Sequence, residues 1–128
     1  MLRRSIVLFL GASLVVLAGC RTAPLQNVVA APVVTSKPAT MESVQNAIVM
    51  AGSGLGWKME PKGDGTLTGE LDLRTHRAVV EVTYDTKTYN IKYKDSSNLD
   101  YNGTSIHKNY NGWVENLDKA IRSQLAKI

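Results

Sequence analysis

The side chains able to do chemistry are few. The 128 residues include one cysteine, Cys20, and two histidines, His76 and His107. A lone thiol forms no internal disulfide and has no second thiol with which to build a zinc or redox motif. The histidines stand at no metal-ligand spacing such as H-x-x-x-H, so neither a metal nor a cofactor is expected. Ser96 or Ser97, His107 and Asp95 or Asp100 can be drawn as a triad, but no nucleophile elbow frames either serine. The most unusual composition lies in D-S-S-N-L-D-Y-N-G-T-S-I-H-K-N-Y-N-G-W, residues 95–113, which concentrates tyrosine, asparagine and serine around His107. Tyr93, just before it, and Asn98, Tyr101, His107, Tyr110 and Asn111 within it are the candidate ligand- or partner-binding residues, because phenol rings give apolar faces with a polar tip and amides both donate and accept. The same residues have a plainer reading: Tyr110 and Trp113 fall on a helical apolar stripe, where core packing is ordinary, and Asn98, Asn102 and Asn111 are turn and capping types. Gly52-Ser-Gly-Leu-Gly56 is no phosphate loop, since it follows a helical pattern and precedes a strand, the reverse of what phosphate binding needs.

Cys20 gains meaning from what precedes it. Arg3 and Arg4 open the chain, an uncharged apolar run from Ile6 to Leu17 follows, and small residues, Ala18 and Gly19, close it. This is the layout of a secretory signal, and the run is short of the ~20 apolar residues a membrane-spanning helix needs. With that context Leu17-Ala-Gly-Cys20 resembles the lipobox of bacterial lipoproteins. The resemblance implies removal of residues 1–19, diacylglycerol on the Cys20 sulfur and acylation of the new amino terminus. Membrane lipid is then the first partner. Arg21, not aspartate, follows the cysteine, which resembles the pattern sent to the outer membrane, facing the periplasm.

Loss of Arg3 and Arg4 with the signal lowers the formal charge from +4 to +2. Basic and acidic residues alternate along the remainder without a basic patch, so nucleic acid is not an expected partner. Residues 20–39 are rich in Ala, Val, Thr and Ser with Pro24, Pro32 and Pro38, and read as a lipidated cysteine plus flexible tether able to reach roughly 60 Å when extended. Val28-Val29-Ala30 and Val33-Val34 leave a second reading open, docking of part of this segment as an extended strand.

Residues 40–128 read as one domain. Thr40 caps a first helix whose Met41, Val44, Ala47, Ile48 and Ala51 share a face. Alternation then gives strands at Trp57–Met59, Leu67–Leu73, Ala78–Tyr84 and Tyr89–Tyr93, with apolar residues on one side throughout. A turn at Thr75-His76 would set Leu71 opposite Val80. A turn over 85–88 would set Val82 opposite Ile91 and Glu81 opposite Lys92. A last helix from about His107 to Lys127 carries Tyr110, Trp113, Val114, Leu117, Ile121 and Leu125 on its apolar stripe. The expected fold is α+β and two-layered: a four-stranded antiparallel meander with an N-terminal and a C-terminal helix packed on one face.

Tyr89, Ile91 and Tyr93, then Ser96, Asn98, Leu99 and Tyr101, then Ile106, His107, Tyr110, Asn111 and Trp113 form a pattern, Y-x-I-x-Y / S-x-N-L-x-Y / I-H-x-x-Y-N-x-W. Over about residues 80–121 it resembles a group of small proteobacterial lipoproteins and exported proteins without an established activity. The expectation is therefore a lipid-anchored envelope protein whose domain is a binding or assembly module rather than an enzyme, meeting another envelope protein, peptidoglycan or a small ligand. A small envelope hydrolase using the His107 loop is the alternative.

Overall fold

The computed structural model describes residues 21–128; the stretch read as a secretory signal and Cys20 lie outside the described residues. Nine elements follow in order: β1 (Thr22–Pro24), β2 (Val28–Pro32), α1 (Met41–Gly54), β3 (Lys58–Gly63), β4 (Thr66–Leu73), β5 (His76–Tyr84), β6 (Thr88–Ser97), β7 (Ser105–His107) and α2 (Lys108–Leu125). The class is α+β, but the sheet has five strands in the order β2-β6-β5-β4-β3, and β1 and β7 make a separate two-stranded sheet. Every pairing is antiparallel. The fifth strand comes from the segment read as a tether. β2 pairs with β6 and buries Ala31, while Val33 N–H donates to Lys87 C=O at 2.8 Å. An open β6 edge offers unpaired backbone groups, and a nearby run of valines and alanines satisfies them. Proline is tolerated in β1 and β2 because both are edge strands with one ladder each.

Alternation places Leu67, Leu71, Ala78, Val80, Val82, Tyr84, Tyr89 and Ile91 in one core with Val44, Ile48, Leu117, Ile121 and Leu125 of the helices. Capping begins α1 as expected: Ser43 N–H donates to Thr40 Oγ1 at 3.0 Å and Thr40 N–H to Ser43 Oγ at 2.9 Å. The helix runs to Gly54, past the expected stop. Gly52 is buried against the sheet, where a methyl group would collide with Met59.

The β5–β6 register is the expected one, with Tyr84 opposite Tyr89, Val82 opposite Ile91 and Glu81 opposite Lys92. The β4–β5 register differs by two residues. Leu71 faces Ala78, and the turn is Arg74-Thr75, with Leu73 opposite His76. A two-residue shift keeps every side chain on its face, so alternation could not detect it. Glu70 therefore lies opposite Val79 and not opposite Glu81, where the expected turn would have put it, and accepts from Arg77 Nε at 2.9 Å, which holds its carboxyl below the usual range. Trp113 and Met41 also depart from expectation. Trp113 is half-buried at the border of the core, and Met41, at the first turn of α1, is exposed.

Candidate functional site

Between the end of β6 and β7 the chain makes a knot of local bonds. Asn98 and Asp100 both take left-handed backbone, φ 57° and 52°, with Leu99 between them buried as a plug. Asn and Asp adopt this conformation more readily than most residues. Leu99 C=O accepts from His107 N–H at 2.7 Å, and Asn98 Nδ2 donates to Thr75 Oγ1 at 2.8 Å, tying the loop to β7 and to the β4–β5 turn. Asn102 Oδ1 closes the tip by accepting from the N–H groups of Thr104 and Ser105 at 3.0 and 2.8 Å.

This loop carries Tyr101 onto Tyr93 of β6. The two rings stack with centroids 4.1 Å apart and planes tilted by 30°, and Tyr110 of α2 meets Tyr93 edge-on at 5.7 Å. Tyr93 and Tyr101, with Lys94, Asp95, Ser96, Asn98 and Asp100, border an open cleft of about 470 Å³. Tyr101 is 41% exposed, so the stacked pair presents an accessible ring. Tyr93 Oη and Ser96 Oγ are hydrogen-bonded at 2.7 Å, and partial burial pushes the Tyr93 phenol pKa up. Beneath the pair, Tyr110 is fully buried, its hydroxyl has no hydrogen-bond partner among the described residues, and desolvation drives its pKa far upward.

The six candidate residues do not form one site. Tyr93, Asn98 and Tyr101 border the cleft, and Tyr110 supports it from within. His107 stands elsewhere: it caps α2, its Nδ1 accepting from Asn109 N–H at 3.2 Å, and its ring lies 6.0 Å from that of His76. His76 lies in turn 6.3 Å from Trp113 and donates from Nδ1 to Asn98 C=O at 2.6 Å. Asn111 is a clamp. Its Nδ2 donates to Pro24 C=O at 2.9 Å and its Oδ1 accepts from Gln26 N–H at 3.0 Å, fastening the link between β1 and β2 to α2. Asn27 was missed by sequence reasoning: its Oδ1 accepts from Tyr93 N–H at 3.0 Å across 66 positions of sequence, and only pairing of the N-terminal segment brings it there.

Chemically, the arrangement offers an aromatic face beside mixed charges and amides, suited to stacking and hydrogen bonding. Neither imidazole is hydrogen-bonded to a serine among the described residues, and the Ser96 hydroxyl is engaged by Tyr93. No group of three or more His, Cys, Asp or Glu side chains is placed to hold a metal among the described residues. Comparison with family models, curated proteins and solved structures gave no match.

Proposed function

We propose that this chain is a lipid-anchored protein of the bacterial cell envelope, fixed through acylated Cys20 to the outer membrane and facing the periplasm, and that its folded part is a binding or assembly module. The observation that carries the reading is the order of its first twenty residues: two arginines, an uncharged apolar run, two small residues and then the only cysteine. No helix among the described residues is long and apolar enough to cross a membrane, so attachment falls to the acyl chains in this reading. Contact with peptidoglycan, another envelope protein or a small ligand is assigned to the Tyr93–Tyr101 cleft, where an exposed stacked ring adjoins Asp95, Asp100 and Lys94. We read the two helices as a layer covering one sheet face. What supports this is the single core that Val44, Ile48, Leu117 and Ile121 share with Leu67, Val80 and Ile91.

The anchor is tested by expressing wild type and Cys20→Ala with labelled palmitate. The wild type should take up label and fractionate with the outer membrane, while the variant should remain an unlabelled precursor. Equal labelling of the two would refute acylation at Cys20.

A further inference from the structure

We propose that one end of the domain, bearing the β4–β5 turn, the start of α2 and the exit of α1, rests directly on the lipid headgroups; this deepens the anchoring reading above and rests on it. The reason is the length of chain between anchor and fold. Arg21 C=O accepts from Lys108 N–H at 2.9 Å, and Thr22 is already paired with His107. Only one peptide link, ~3.8 Å between α-carbons, separates an acylated Cys20 from a fixed point of the fold. The residues that follow supply no slack, because Leu25 N–H donates to Thr104 C=O at 2.9 Å and Asn111 clamps Pro24 and Gln26. A domain so attached lies within the ~8 Å over which charges act at physiological salt.

The surface at that end fits a bilayer interface. Leu73 is 46% exposed, although Leu67 and Leu71 of the same strand are buried, and Leu55, the C-cap of α1, is 44% exposed. Leu55 shares a shallow hollow with Leu71 and the half-buried Trp113. Arg21, Arg74 and Lys108 are exposed around them, as are Asp72 and Asp100. With charges of both signs present, the short link and the apolar side chains carry the apposition, while the cations and Trp113 suit the headgroup level.

The test uses the full-length lipoprotein, reconstituted into vesicles of phosphatidylethanolamine and phosphatidylglycerol. Acylation leaves no free thiol in the mature chain, so an introduced cysteine takes a fluorophore uniquely. Leu73→Cys and Leu55→Cys report the proposed contact, and Lys87→Cys, exposed in the β5–β6 turn, reports the opposite end. Lipids spin-labelled at the headgroup should quench the first two several-fold more than the third. They should also quench Trp113 in the unsubstituted protein, where Trp57 is buried. Equal quenching at both ends, or stronger quenching at Lys87→Cys, overturns the proposal. Flotation with vesicles and palmitate labelling are measured on the same samples: a wild type that carries no acyl group overturns the anchor itself, a failure distinct from an anchored domain that stands clear of the surface.

Discussion

Two buried tyrosines show how the surroundings of one hydroxyl set what it contributes. Tyr89 and Tyr110 are both fully buried, but Tyr89 donates to Asp118, which also pairs with Arg122 at 3.1 Å, whereas the Tyr110 hydroxyl has no partner among the described residues. Tyr89→Phe should therefore destabilise the domain by about 1.5 to 3 kcal/mol, the range for a hydrogen bond to a charged group. Tyr110→Phe removes a buried group that gains nothing and should leave stability unchanged or raise it by up to about 1 kcal/mol. Chemical denaturation of both variants checks this; equal losses would mean that the Tyr110 hydroxyl is satisfied after all. Sequence marked both rings as inward by alternation and helical spacing, but nothing in the sequence distinguished their hydroxyls. Asp118 comes from α2, 29 positions after Tyr89, so that pairing depends on how the helix lies on the sheet.

The elements differ in how much of them is local. α1 and α2 follow from spacing and caps within a few residues, and the β5–β6 hairpin follows from alternation together with Asp85, which accepts from the N–H groups of Lys87 and Thr88 at 2.7 and 2.8 Å. The β4–β5 turn was misplaced because Arg74 is not a residue type that signals positive φ, yet it adopts 57° there. Arg74→Gly should accordingly stabilise the domain by up to about 1 kcal/mol, and the same substitution at Arg77, inside β5 and bonded to Glu70, should destabilise it. β1 and β2 are the least local elements, since their composition reads equally well as tether or strand. Asn111 clamps the link between them to α2, so Asn111→Ala should lower stability by about 1 to 3 kcal/mol and open residues 22–30 to limited proteolysis well before the core unfolds. An unchanged cleavage pattern would show that the β1–β7 and β2–β6 ladders hold the segment without the clamp.

At the scale of the whole molecule, the buried tyrosines couple stability to alkaline pH. Burial raises the pKa of Tyr89 and Tyr110 above the ordinary 10.0, with the Asp118 bond adding to the effect at Tyr89. The unfolded chain then loses these protons at lower pH than the folded one, so their contribution is complete below pH 10 and declines as pH rises above it. Phenolate absorbance should show these two groups ionising together with loss of far-ultraviolet dichroism, and Tyr110→Phe should make the decline shallower. Titration of all phenols before any loss of structure would contradict the burial. The sequence by itself determined the periodicities: which residues of α1, β4, β5, β6 and α2 face inward, Met41, Leu73 and Trp113 apart, and that helices and antiparallel strands form an α+β domain. These are short-range properties, set by repeats of 3.6 and 2 residues. Only the tertiary structure decided that residues 22–32 complete two sheets, that the β4–β5 turn lies one residue earlier, and that His107 and Asn111 part from Tyr93 and Tyr101. The turn rests on Arg74 taking a positive φ, while the other two depend on which distant polar groups need partners once the core has closed, and such partners are separated by tens of residues along the chain.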